Sequence, residues 1–145
     1  MIETPAGVAT VGWVTDSERA LSVHDVVGSD FFADLVEAFY LGVEDDELLR
    51  PMYPADLSGA KARLAMFLVQ YWGGPTTYSE NRGHPRLRMR HMPFTVDVAA
   101  RDAWLRHMRA ALETTAERRG APQIVVDAID DYFVRSADFL RNADR

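Results

Sequence analysis

The stretch RGHPRLRMRHMPF, residues 82–94, packs four arginines, two histidines and two prolines into thirteen positions. Pro85 suits the first position of a helix and Pro93 ends one, so the spacing predicts a short helix from Pro85 to His91. Leu87 stands one turn before His91, and Met92, Pro93 and Phe94 follow it, which gives the imidazole apolar neighbours on both sides. A helix that stops so soon leaves carbonyls without intrahelical partners, and the Leu87 C=O is placed to accept from one ring nitrogen. Metal-binding imidazoles are usually oriented by such a bond through the nitrogen that does not bind. No second His or carboxylate stands at i+3 or i+4, so the pattern suits zinc poorly and one axial ligand with apolar walls well.

Working outward, Leu57, Ala60, Leu64, Phe67, Leu68 and Tyr71 share one helical face. They predict a helix from Leu57 to Trp72, stopped by Gly73, Gly74 and Pro75. Upstream, Phe32, Leu35, Val36, Phe39, Tyr40 and Val43 predict a helix from Asp30 to Val43, with Asp30 or Ser29 as its N-cap. Pro51 and Pro54 limit the segment between these helices to a turn. Thr76 to His84 reads as irregular, a length that in a small domain is usually functional or disordered. Downstream, Asp97 caps a helix from Val98 to Ala116. Trp104, Leu105, Met108 and Leu112 face inward there, and Asp102, Arg106, Arg109 and Glu113 form a wet ridge. Gly120, Ala121 and Pro122 precede a last helix, Gln123 to Leu140, striped by Val125, Ala128, Ile129, Tyr132, Phe133 and Leu140, with Ser136 a polar interruption. The chain reads as all-α, with residues 23–145 as one domain. Residues 1–22 read as a loose leader with a strand-like or helical piece near Trp13.

Composition narrows the chemistry. A chain of 145 residues, 48% hydrophobic, buries about two-thirds of its unfolded surface and needs no staples. The absence of cysteine excludes a disulfide framework, a zinc ribbon, thiolate iron and a cysteine nucleophile. With 16 basic and 22 acidic residues, a net charge of −6, the chain lacks the positive field that nucleic-acid binding needs. No run reaches the ~18 apolar residues of a membrane span, and no Lys or Arg precedes Arg19 to mark a secretory signal. The expected compartment is the cytoplasm. GxSxG, GxxxxGK[ST], HExxH and GxGxxG are absent. Asp45, Asp46 and Glu47 lack the EF-hand spacing and read as a solvated loop. His24, His84 and His107 read as surface or structural histidines.

Two further features stay open on the residues alone. Arg82, Arg86, Arg88 and Arg90 form either a solvated face or a holder for a dianionic ligand beside His91, which Arg63 and Tyr78 are near enough to join. A porphyrin, with two propionates, is such a ligand. Tyr40, Tyr53, Tyr71 and Trp104 either pack the core with their polar atoms satisfied locally or aim donors into an apolar cavity. A cofactor-free helical interaction module fits the periodicity equally well. A hydrolase using His84 and His91 lacks carboxylates at ligand spacing.

Taken together, FLVQYWGGP at 67–75, Tyr78-Ser79-Glu80, residues 82–94, RDAWL at 101–105 and Phe39-Tyr40 resemble the group II truncated haemoglobins over about Leu35 to Met108. The resemblance implies a shortened globin, a two-over-two helical sandwich around haem b (iron protoporphyrin IX). In it His91 matches the proximal iron ligand, and Tyr40, Tyr53 and Trp104 match the distal hydrogen-bonding residues. Ala60 takes the place where many globins carry a distal His. Leu64, Phe67 and Leu68 match haem-packing positions and Arg63 a propionate contact, with Tyr78, Arg86, Leu87, Arg90 and Phe94 completing the cofactor's surroundings. The implied ligands are O2, CO and NO, held with slow release. Nitric oxide dioxygenation, peroxidase-like chemistry and sensing are all permitted without a choice among them, as are an electron-donating reductase and a homodimer as partners. The chain departs from the pattern at Gly28-Ser29, where the family often has Gly-Gly.

Overall fold

A computed structural model describes residues 10–16, 19–91 and 94–143. Two antiparallel strands, β1 (Thr10–Asp16) and β2 (Arg19–Ser22), lead into seven helices: α1 (Val23–Val27), α2 (Ser29–Glu44), α3 (Ser58–Tyr71), α4 (Thr77–Arg82), α5 (Leu87–His91), α6 (Val98–Arg119) and α7 (Gln123–Leu140). A single 3-10 turn, Arg50–Met52, lies between α2 and α3. Trp13, where a strand-like or helical piece was expected, falls in β1, and residues 1–9 of the expected leader lie outside the described residues.

α2 packs on α3 and α6, and α6 on α7, which gives the two-over-two arrangement of a truncated globin. The inner face of α2 is fully apolar, with Phe31, Phe32, Leu35, Val36, Phe39 and Val43 buried. Each such aromatic or aliphatic side chain contributes about 1.5–3 kcal/mol through burial. Across the sandwich, Tyr71 stacks on Tyr132 at 4.2 Å, and Phe133 meets Trp104 edge-on at 5.7 Å. At the α2–α6 crossing a side chain on Gly42 would meet the His107 ring at 2.5 Å, so glycine sets the approach of the two helices.

The helix ends show where local chemistry overrode the expected boundaries. α2 begins one residue early because Gly28, at φ 81°, takes the N-cap position, so neither Ser29 nor Asp30 caps it. α1 arises from a capping box: Asp25 N donates to Ser22 Oγ at 3.0 Å and Ser22 N to Asp25 Oδ2 at 2.9 Å. The stretch read as irregular contains α4, which α3 holds in place. Ser79 N donates to Gln70 Oε1 at 2.9 Å and Gln70 Nε2 to Ser79 Oγ at 2.7 Å. α6 starts where Asp97 caps it, accepting from Ala100 N, and runs to Arg119 before left-handed Gly120 closes it. No helix among the described residues is long and apolar enough to cross a membrane.

Candidate functional site

α5 is two residues shorter at its start than proline placement suggested. Arg86, at φ 46°, is the sole non-glycine residue with positive φ among the described residues, and it separates Pro85 from the first helical turn. Arg90 braces this bend, donating Nε to Pro85 O at 2.7 Å and Nη2 to Arg82 O at 3.0 Å. His91 ends the helix with Nδ1 2.7 Å from Leu87 O. A carbonyl only accepts, so Nδ1 carries the proton and Nε2 is left as the lone-pair nitrogen. Met92 and Pro93 lie outside the described residues.

His91 borders a cavity of about 70 Å³ whose walls are mostly apolar: Leu49, Met52, Val96, Ala100, Ala137 and Leu140, together with Tyr53, Trp104 and Arg101. The structure thus brings His91, Tyr53 and Trp104 onto one space from three separate elements. Tyr40 joins them through Tyr53. Their rings meet edge-on at 5.4 Å, and the two phenol groups interact. Burial pushes the Tyr53 phenol up to about 12, against the lowering effect of the bond with Tyr40. Tyr40 is raised further, by burial first and by its neighbour Tyr53 second. Both stay protonated donors across the neutral range.

The other residues matched by resemblance lie around this space. Ala60, Phe67 and Leu68 are buried on α3, Leu64 is partly buried, and none of the four lines the cavity itself. Arg63 curls back over Gly59, and its positive charge acts on Tyr40. Tyr78 is buried on α4 with its ring edge-on to Phe67 at 5.5 Å. Arg86 is exposed, Leu87 partly buried, and Phe94 is 42% exposed. Sequence reasoning passed over Leu49, Met52, Val96, Ala100 and Ala137, and read Leu140 only as part of the last helix's apolar stripe. The available signal was Ala100 and Arg101, one turn before Trp104 on the same face of α6. A larger open groove of about 540 Å³ runs between α6 and α7 around Leu112, Ala116 and Val126, but no histidine or tyrosine lines it.

One expectation away from the cavity is corrected. Asp46 is not a solvated loop residue: its side chain is 9% exposed, and Oδ1 accepts from Leu48 N and Leu49 N at 2.9 and 3.0 Å. Its Oδ2 accepts from His107 Nε2 at 2.7 Å, which ties the loop carrying Leu49, Met52 and Tyr53 to α6.

Whether these residues suit a porphyrin is decided by three observations. A single imidazole nitrogen is left open toward an apolar space, and no group of three or more His, Asp or Glu side chains that could hold a metal ion assembles among the described residues. Met89 and Phe94 expose 55% and 42% of their surface on either side of His91, apolar area that a flat hydrophobic group would cover. Tyr53 and Trp104 line the same space as His91. The donor set fits haem.

Comparison with known proteins gives the same direction. The sequence profile described as bacterial-like globin matches residues 22–136. The group 2 truncated hemoglobin YjbI of Bacillus subtilis is 40% identical over 90 residues, covering 62% of this chain and 68% of that protein. Among solved structures, a thermostable hemoglobin from the actinobacterium Thermobifida fusca shares 45% identity at a TM-score of 0.81, covering 86% of this chain and 100% of that one. The truncated oxygen-avid haemoglobin of Bacillus subtilis shares 32% identity at a TM-score of 0.78, covering 84% and 100%.

Proposed function

The chain belongs to the bacterial-like globin family as a group II truncated haemoglobin, a family of haem-based ligand binders, and from this premise we propose that His91 holds the iron of haem b while Tyr53, Trp104 and Tyr40 govern the ligand. The observation that carries the reading is the shared cavity: one imidazole with Nε2 open, one phenol and one indole on the same apolar space. Haem, when bound, supplies a ferrous iron that takes O2, CO or NO. This chain's residues supply the rest. Leu87 O fixes the imidazole plane and makes the ring a better donor through Nε2. Leu64, Phe67 and Leu68 offer apolar packing from α3, while Arg63, Arg86 and Tyr78 offer donors for propionates. Arg90 already spends two donors on the bend before α5, so its first task is bracing that bend.

α5, which carries His91, is five residues long, and Met89 within it and Phe94 just after it are exposed. Globin membership takes precedence over the cofactor-free helical module that periodicity alone admits.

On the distal side, a hydrogen bond to a ligand carrying partial negative charge contributes about 1.5–3 kcal/mol, one to two decades in dissociation rate. Tyr53 and Trp104 are both positioned to give one. This supports slow O2 release, in keeping with the oxygen-avid behaviour named for the Bacillus subtilis haemoglobin. Slow release argues against bulk delivery and favours redox chemistry, scavenging or sensing. A redox role includes an electron-donating partner that returns the iron to the ferrous state. Among the described residues one chain completes the site, so the reading needs no homodimer.

The test is hemin titration followed by stopped-flow ligand release. The wild type should take up one hemin with a Soret band, and His91→Ala should lose stable retention. Trp104→Phe should release O2 at least about tenfold faster. A chain that ignores hemin overturns the cofactor assignment, and an unchanged release rate removes Trp104 from the ligand's surroundings. Mixing the oxygenated protein with NO, and a separate peroxide turnover assay, discriminate the redox uses.

A further inference from the structure

We infer that Asn142, beyond the end of α7, is a positioning residue for His91, strapping the segment that leaves α5 to the C-terminal end of the fold. The inference rests on the haem reading above. His91 is held from one side by Leu87 O, within its own helix. From the other side its peptide leads into residues 94–97, which have no sheet or helix of their own before Asp97 caps α6. Asn142 supplies what that segment lacks. Its Oδ1 accepts from Val96 N at 2.8 Å, and its Nδ2 donates to Phe94 O at 2.9 Å and reaches His91 O at 3.4 Å. The backbone adds two bonds, from Asn142 N to Val96 O at 2.8 Å and from Ala143 N to Val96 O at 3.2 Å.

Two features separate this from routine helix termination. α7 is closed by Arg141 N donating to Asp138 O, and each hydrogen bond given above for Asn142 runs to His91 or to the segment that follows it. The carboxamide is also used with both polarities at once, oxygen toward an N–H and nitrogen toward two carbonyls. Asp keeps the reach but lacks the donor and adds a charge, and Gln keeps the carboxamide but changes its reach. Ala137 and Leu140, which precede the strap on the last turns of α7, wall the cavity beside His91. The end of the chain thus sets both the orientation of the His91 segment and the wall next to the ring.

Asn142 is exposed, so water competes for its bonds and the effect is a modest, measurable one. The experiment compares wild type, Asn142→Ala and Asn142→Asp in four readouts. These are hemin transfer to excess apomyoglobin, the iron–histidine stretching band of the ferrous ligand-free protein, Val96 amide exchange without haem, and the urea midpoint without haem. Asn142→Ala should lose hemin about three- to tenfold faster. It should also shift or broaden the iron–histidine band and speed Val96 exchange, with the urea midpoint nearly unchanged. Asn142→Asp keeps the acceptor for Val96 N and loses the donor, so it should protect Val96 yet lose hemin as Asn142→Ala does. Unchanged Val96 exchange in Asn142→Ala overturns the strap. Faster exchange with unaltered hemin loss and an unaltered band overturns its role in positioning His91. If the wild type itself takes up no hemin, the haem reading has failed, and Val96 exchange still reports separately whether the strap exists.

Discussion

Asp46→Ala tests how the Tyr53 loop is held. In the folded chain the Asp46 carboxylate accepts two backbone N–H groups, from Leu48 and Leu49, and the His107 Nε2 at 2.7 Å. Arg106 approaches at 3.4 Å but is 65% exposed, so its share is small. A hydrogen bond to a charged group is worth about 1.5–3 kcal/mol, and the two turn bonds compete with water, which puts the expected loss at about 2–3 kcal/mol. Asp46→Asn keeps an acceptor for the turn and loses the charge, for about 1 kcal/mol. The assay is urea unfolding of the haem-free protein followed by circular dichroism, read as a shift in midpoint at constant slope. A cycle with His107→Phe should return a coupling of about 1–2 kcal/mol. The pH dependence has a definite sign. The His107 bond, first, and the Leu49 and Leu48 amides hold the Asp46 carboxyl below its usual value of 3.8. The unfolded chain therefore takes up this proton before the folded one does. The contribution is complete above the ordinary carboxylate range, and is lost as pH falls below about 4 and through the depressed folded value. A loss under about 0.5 kcal/mol in Asp46→Ala, or zero coupling to His107, refutes the clamp.

Gly42→Ala forces a β-carbon to 2.5 Å from His107 Nδ1. It should cost about 1–3 kcal/mol despite the better helix propensity of alanine, and should add little to Asp46→Ala; a stabilised variant in the same urea assay contradicts it. Burial raises the phenols of Tyr40, Tyr53 and Tyr132, so each favours folding below the unfolded tyrosine value of 10.0 and progressively loses that contribution above it. Ultraviolet titration should show these three ionising only as the fold gives way near pH 12 or above; their early ionisation in a folded chain contradicts the burial assignment. Arg86→Gly removes a strained left-handed residue before α5 and should raise haem-free stability by up to about 1 kcal/mol, or leave it level. If Arg86 also meets a propionate, the same change speeds hemin loss, and the two readouts move in opposite directions.

The four longest helices were legible because each buries one face, and Phe32 to Val43 or Val125 to Phe133 announce that face by spacing. Asp97 announced α6 by its side chain alone. α4 gave no such signal, since Tyr78 is its one buried residue and Gln70 of α3 holds it by hydrogen bonds. α1 did carry a signal, Ser22 followed three residues later by Asp25, but it is too short to show a stripe. Around the cavity, Tyr53 and Trp104 were readable as polar aromatics near apolar positions, and the Leu87 carbonyl as a partner for His91 followed from helix length. The clamp and the strap were not readable. Asp46 meets His107 across 61 residues and Asn142 meets Val96 across 46, and no local periodicity encodes a single polar pair at that range.

These two long-range pairs point to a division of labour in the fold. The layers α2, α3, α6 and α7 are fixed by buried apolar faces and need nothing from the site. The segments that approach the cavity are a 3-10 turn, a five-residue helix and the stretch before Asp97, none long enough to be stable by its own ladder. Side chains hold them to backbone instead: Asp46 on Leu48 and Leu49, Arg50 on the carbonyls of Tyr53, Pro54 and Ala55, Arg90 on Pro85 and Arg82, Asn142 on Val96 and Phe94. Such tethers fix direction at a net gain of only about 0.5–1.5 kcal/mol each, so the segments can yield when a larger group enters and be ordered by it. Ligand binding then draws on walls whose position is set by a few polar bonds, while the core that carries them stays unchanged. On this account polar substitutions at Arg90 and Asn142 should alter cofactor retention more than global unfolding, and core substitutions such as Phe133→Ala should do the reverse.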